Sequence, residues 1–198
     1  MRSLKVAIGI LMVFALTDGR NAFAQEPKRE VSMEYGWLDD HGYHFPVGWI
    51  LSAGDYVTPW LAIVGEAGGQ YHYDRVPNLP GYTYANQRYN VNLHSFTGGI
   101  RVTSDRRAKL SAFGQVLAGS DRMAGVPLEA FDWRQWSFLL QPGIGGSVRV
   151  SRRTAARATV DFPAIRQEVF VDRGGDDWGY EHRFSHLTRI GVGIAVGF

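Results

Sequence analysis

The sequence predicts an all-β fold, an eight-stranded antiparallel up-and-down transmembrane β-barrel, and three observations carry that prediction. Residues 189–198 alternate strictly: Ile190, Val192, Ile194, Val196 and Phe198 share one face, while Arg189 and small residues take the other. Side chains of an extended chain point to opposite sides with a period of two, so this segment is a strand with one greasy face. About eight such segments follow one another without helical periodicity, joined alternately by tight polar turns and longer loops, the rhythm of a barrel that crosses a membrane. Finally, the face opposite the greasy one carries charges of both signs, which suits a lumen and not the outside of a protein in lipid.

The N-terminal segment reads as an export signal. Arg2 and Lys5 precede an apolar run over residues 6–16, and a polar stretch then leads to Ala22-Phe23-Ala24, the small-x-small pattern at which a signal peptidase cuts. The run is too short for a spanning helix, which needs roughly 20 apolar residues. Residues 1–24 are therefore expected to be a signal peptide cut before Gln25, and residues 25–198 a single barrel domain. Cleavage removes three of the 21 basic and one of the 19 acidic residues, leaving a neutral mature chain. The basic balance of the whole chain thus gives no support to nucleic-acid binding. The sequence has no Cys, which excludes disulfides, thiol chemistry and a lipid anchor on a cysteine after the cut.

Taken in order, strand 31–38 sets Val31, Met33, Tyr35 and Trp37 against Glu34, and strand 46–54 carries Val47, Trp49 and Leu51 on one face. Strand 59–73 opposes Leu61, Ile63, Ala67 and Tyr71 to Glu66 and Gln70. In strand 90–103, Leu93 falls on the opposite face from Ile100 and Val102, so a bulge is expected near Gly98-Gly99. Strand 109–121 sets Leu110, Ala112 and Val116 against Ser111 and Gln115. Strand 137–150 sets Phe138, Leu140, Ile144 and Val148 against Gln141, Ser147 and Arg149. Strand 154–168 sets Ala158, Val160 and Phe162 against Arg157, Thr159 and Asp161, and strand 186–198 closes the set. The connections at 55–58, 104–108 and 151–153 are tight and polar; those at 39–45, 74–89, 122–136 and 169–185 are rich in Gly, Asp, Pro and Tyr. An even strand number returns both ends to one side, the periplasmic one.

Which face meets lipid follows from the ions. Placed in an apolar core, Glu66, Asp161 and Arg189 would cost several kcal/mol each if unpaired. Turned inward, they pair with one another in an interior just wide enough to be filled by side chains. The predicted interior polar network is Glu34, Glu66, Gln115, Gln141, Arg149, Arg157, Asp161 and Arg189. Glycines 36, 48, 68, 143, 145, 191 and 193 give room on the narrow wall for those larger neighbours.

With the signal peptide, the strand and loop rhythm, the opening Trp60-Leu-Ala-Ile-Val-Gly65 and the ending Ile-Ala-Val-Gly-Phe198, the chain resembles the small eight-stranded outer-membrane proteins. These are typified by the OmpA transmembrane domain, OmpX and the opacity-protein group. The resemblance implies a bacterial outer-membrane location and a monomer in contact with outer-membrane lipid and lipopolysaccharide. It also implies that the barrel-assembly machinery reads Phe198 as its signal during biogenesis. No peptidoglycan-binding domain is expected after the barrel. Activity is not implied, since such barrels host adhesive, structural and enzymatic roles.

Catalytic candidates are few. His94-Ser95 is similar to the His and Ser of the lipid A deacylases, but in that family the two stand two positions apart on one face, whereas adjacent strand residues diverge; Ser185-His186 fails likewise. The palmitoyltransferase barrels need an amphipathic N-terminal helix, for which residues 25–30 are too few. Asp39-Asp40-His41-Gly-Tyr-His44 and Asp172-Arg-Gly-Gly-Asp176-Asp177 crowd acids and imidazoles into loops without a zinc or EF-hand spacing. Gly143-Ile-Gly-Gly146 lacks the following Lys-Ser/Thr of a phosphate loop. No catalytic residue, metal or cofactor is expected. Tyr82, Tyr84, Tyr89, Trp178 and Tyr180 are the candidates for loop recognition of an extracellular protein or glycan, because Tyr and Trp offer large contact area at low entropic cost. Arg106, Arg107, Lys109, Arg152 and Arg153 fall on the periplasmic side, facing inner-leaflet phosphates. Three readings follow in order: a non-enzymatic membrane-stabilising or surface-interaction barrel, adhesion-like through its loops; a lipid A-modifying, deacylase-like enzyme; and a minor pore.

Overall fold

The computed structural model describes residues 27–40, 43–75, 88–106, 108–124, 135–172 and 178–198. Residues 1–26, the expected signal peptide and its cut among them, lie outside the described residues. Eight strands form one closed antiparallel barrel. They are β1 (Arg29–Asp40), β2 (Tyr43–Phe45 and Val47–Tyr56), β3 (Leu61–Arg75) and β4 (Arg88–Thr103), then β5 (Leu110–Ala124), β6 (Gln135–Arg149), β7 (Thr154–Asp161 and Ala164–Asp172) and β8 (Trp178–His186 and Thr188–Gly197). Each pairs with its sequence neighbour, and β8 closes on β1 from Glu30↔Gly197 to Asp39↔Thr188. Closure leaves the wall without a free sheet edge in the membrane.

Tight turns hold the end where β1 begins and β8 finishes. Val57 and Thr58 donate to the Leu61 carbonyl, Ser104 to that of Ala112, and Val150 and Ser151 to that of Thr154. Prolines mark the irregularities. In β7 and β8, Pro163 and its neighbour Leu187 interrupt the ladder without changing register, since proline has no N–H to give. In β2, Leu38 faces Phe45 but Tyr35 faces Trp49, so one extra residue stands on β2 beside Pro46, a bulge. It turns Phe45 into the lumen.

The bulge expected near Gly98-Gly99 is absent. β4 keeps one register with β3 from Leu61↔Val102 to Arg75↔Arg88, and one with β5 from Thr103↔Phe113 to Asn92↔Ala124. Leu93 faces inward and is buried, while Ile100 and Val102 face outward and are exposed. The conflict came from assuming a uniformly polar interior. Toward the long loops the lumen is instead filled by Leu38, Phe45, Val91, Leu93, Leu139, Ile165 and Leu187, with Met123 packed against them. Leu93 belongs to that layer.

Outward positions are apolar. Ile63 is 60 % exposed, Ile144 61 % and Leu110 69 %. Where side chains on this face are described, the ionised ones stand near its ends, Arg29 paired with Asp55 at 3.5 Å beside the tight turns and Asp39, Arg122 and Arg166 toward the long loops. From Trp136 to Val148 on β6 the band covers roughly 40 Å of strand at ~3.3 Å per residue, or roughly 30 Å of height at a tilt of ~40°. That matches the hydrocarbon core of a bilayer, ~30 Å thick.

Candidate functional site

Between the apolar layer and the tight turns the lumen holds one chain of polar side chains. The Gln141 amide donates to Glu66 Oε1 at 3.0 Å, and Arg189 Nη2 reaches the same oxygen at 2.5 Å. Arg189 also donates to Asp161 Oδ2 through Nη2 at 2.7 Å and Nε at 3.2 Å. Gln115 Nε2 donates to the other oxygen of Asp161 at 2.9 Å, while Gln115 Oε1 accepts from Arg101 at 2.8 and 3.0 Å. Arg101 Nη1 and Arg157 Nη2 converge on Glu30 Oε1 at 3.0 and 2.7 Å, and Arg157 Nε donates to Ser147 Oγ at 3.2 Å. Glu34 stands beside the chain, accepting from Thr159 at 2.7 Å and from Ser32 at 3.3 Å. Ser32 in turn bonds Ser52 of β2 at 2.8 Å, so every strand contributes. Arg189 is 3 % exposed and Asp161 1 % exposed, which makes each pairing strongly felt: removing one partner strands the other in low dielectric.

The room for these groups comes from glycine. A Cβ on Gly36 would sit 2.7 Å from Gln70 Nε2, and one on Gly68 2.9 Å from Ser95 Oγ. At Gly48 it would run into Gln70, at Gly143 into Asp161, at Gly145 into the Phe113 ring and at Gly191 into Thr159 and Glu34. Gly193 differs, because its Cβ would meet the Met33 carbonyl and the Glu34 backbone, so there the limit is the approach of β1 itself.

Of the eight residues assigned to the interior from sequence, Glu66, Gln115, Gln141, Arg157, Asp161 and Arg189 meet in this one network, and Glu34 is buried next to it. Arg149 does not join. It is the last residue of β6, and its exposed guanidinium donates to the Arg106 carbonyl at the rim. The inward parity holds there, but the lumen has ended. Two charged members escaped the sequence reading, Glu30 and Arg101. Glu30 precedes the first expected strand, and Arg101 was hidden by the bulge wrongly placed in β4; an unbroken period of two from Leu93 puts Arg101 inside, where it is 2 % exposed.

Elsewhere, His94 lies on the outer wall edge-on to Tyr71, with ring centroids 5.7 Å apart, while Ser95 lines a lumen cavity with Asp121 and Gln141. Asp39 and His44 pair at 2.7 Å near the first loop. His41, Gly42 and residues 173–177 lie outside the described residues. So do Tyr82, Tyr84 and Arg107. Tyr89, Trp178 and Tyr180, expected in loops, belong instead to strands: Tyr89 pairs with Asp74, Trp178 with Asp172 and Tyr180 with Phe170. The β7–β8 hairpin runs further than its Gly- and Asp-rich sequence suggests because antiparallel pairing continues past the interruption at Pro163. Phe198 exchanges backbone hydrogen bonds with Arg29, at 3.0 and 3.2 Å, sealing the last strand to the first.

Neither a protein-family model nor a curated protein matches the sequence. Solved structures do match. Neisserial surface protein A superposes with a TM-score of 0.60 at 13 % identity, covering 86 % of this chain and 96 % of that one. The fold is that of the small eight-stranded outer-membrane barrels. Ail, the attachment invasion locus protein of Yersinia pestis, solved with the heparin analogue sucrose octasulfate, gives 0.55 at 14 % identity over 88 % of this chain and all of its own. OprG of Pseudomonas aeruginosa gives 0.55 at 9 % identity over 88 % and 97 %. Identities this low establish architecture alone.

Proposed function

We propose that this is an exported outer-membrane barrel that acts without catalysis, stabilising the membrane and presenting its long-loop end as a surface for interaction. The observation that carries the reading is the opposition of faces: an uncharged apolar band outside, and inside a lumen filled by paired ions and then by an apolar layer drawn from β1, β2, β4, β6, β7 and β8. The band suits lipid, and a filled lumen suits a wall rather than a conduit. The long-loop end is then the exposed one, rich in aromatic residues, with Tyr82, Tyr84, Tyr89, Trp178 and Tyr180 as recognition candidates. The likeness to Ail, whose structure holds a sulfated heparin analogue, supports an extracellular glycan or protein as the partner class. Lipopolysaccharide surrounds that end, and the assembly machinery that folds such barrels would read Phe198.

The membrane half of the proposal is tested by Val116→Arg, in the middle of the outward band. Bilayer burial of that charge is expected to cost about 2–4 kcal/mol in vesicle unfolding, and an unaltered unfolding curve contradicts lipid contact at this site. The surface half is tested by binding of cells bearing the protein to immobilised sulfated glycan or matrix protein, with residues 76–87 replaced by a short Gly-Ser turn. Loss of binding with intact folding is expected. Steady single-channel currents in planar bilayers, or altered lipid A masses in cells carrying the protein, would replace this reading with a pore or an enzyme.

A further inference from the structure

At the tight-turn end the barrel opens into a vestibule of about 80 Å³. Among the described residues its lining carries five arginines, Arg106, Arg149, Arg152, Arg153 and Arg157, against a single carboxylate, Glu30. Glu30 is already shared between Arg101 and Arg157, and among the described residues the lining offers no other acid to offset the four arginines nearer the opening. On the floor, Arg157 is 4 % exposed. Its Nε and Nη2 are bonded to Ser147 and Glu30, but its Nη1 has no hydrogen-bond partner among the described residues. A buried donor in that state has given up its hydration without a replacement bond. Nη1 is closed off from solvent, so an oxyanion at the vestibule floor becomes its acceptor only once the Arg157 side chain shifts.

Two of the arginines above it, Arg106 and Arg149, have side chains held in place. Arg106 lies over the Tyr56 ring at 3.4 Å and donates to the Pro27 carbonyl at 2.6 Å; Arg149 donates to the Arg106 carbonyl. Arg152 and Arg153 sit on the β6–β7 turn, where the N–H groups of Arg153 and Thr154 bond Ser151 Oγ at 3.3 and 3.1 Å. Groups already ordered lose less entropy on binding. Guanidinium forks match the paired oxygens of phosphate, and the lining uses Arg throughout and no Lys.

We propose that this vestibule binds a phosphate group, with Arg157 as the floor contact and Arg149, Arg152 and Arg153 gathered around the opening. The phosphate comes from a water-borne phosphate ester or from a phospholipid headgroup at the membrane edge. Only the second source rests on the membrane reading above.

The test is calorimetric titration of the folded full-length mature chain in dodecyl maltoside, with inorganic phosphate and, separately, dihexanoyl phosphatidylglycerol as probes. Saturable one-site binding is expected, weakened at least tenfold in Arg152→Ala/Arg153→Ala, with the side-chain 15N–1H signal of Arg157 shifting on addition. Binding of inorganic phosphate, alone or with the lipid, identifies the water-borne source; binding of the lipid alone identifies the headgroup. The proposal is overturned if neither probe saturates, if the double variant binds as tightly as the parent, or if chloride at equal ionic strength displaces the probe. Should the double variant lose the gel mobility of the folded barrel, the Arg157 signal of the parent decides: a shift supports the site, and a stationary signal removes it.

Discussion

Toward the tight turns the lumen is filled by Glu30, Arg101, Gln115, Arg157, Asp161 and Arg189, each bonded to named atoms on other strands. Toward the long loops, the inward positions of β1, β2, β4, β6, β7 and β8 carry Leu38, Phe45, Val91, Leu93, Leu139, Ile165 and Leu187. Both regions occupy the same alternating face of the same strands, yet they constrain the barrel differently. Apolar contacts are non-directional, and a neighbouring methyl group serves almost as well as the intended one. A guanidinium aimed at two carboxylates has one good geometry. The ionic region is therefore suited to fixing the stagger of the strands, and the apolar region to closing the end against water.

The most direct way to break this contrast is Arg189→Met, which leaves Glu66 and Asp161 buried without their cation. It is expected to lower unfolding stability in detergent by about 3–5 kcal/mol. Adding Glu66→Gln and Asp161→Asn should recover most of that loss, because the penalty is the orphaned charge; no recovery would mean that Arg189 acts through packing. Asp161→Ala should cost less than Arg189→Met, because Gln115 Nε2 loses its acceptor while Arg189 keeps Glu66. Leu139→Ala in the apolar layer comes next, at about 2–4 kcal/mol from lost burial and the cavity left behind. Urea titration of the refolded barrel measures it, and a loss larger than that of Arg189→Met would erase the distinction between the regions. Gly143→Val should cost about 1–3 kcal/mol by overpacking against Asp161, read as a lower midpoint of the heat-induced gel shift. At the rim, Arg153→Ala should move stability by no more than about 0.5 kcal/mol, since its side chain is exposed. A larger loss would show that the rim belongs to the folding unit.

The strand order and the lipid face could be read from residues alone because apolar side chains recur there at every second position, as with Leu110, Ala112 and Val116 or Ile190, Val192 and Ile194. The inward face was readable only where it was polar. Leu93 broke that rule, drew a false bulge into β4 and took Arg101 out of view, while the true bulge stands at Pro46, a residue that cannot join the ladder. Arg149 was placed inside because alternation gives direction but not height.

Period-two patterning specifies which way each side chain points, and it did so here through the chain's own covalent geometry. Partners such as Arg189 with Glu66, or Glu30 with Arg101 and Arg157, depend on strands remote in sequence meeting across the lumen at one level. That level is set by the stagger at which the barrel closes, a property of all eight strands together and of no single segment.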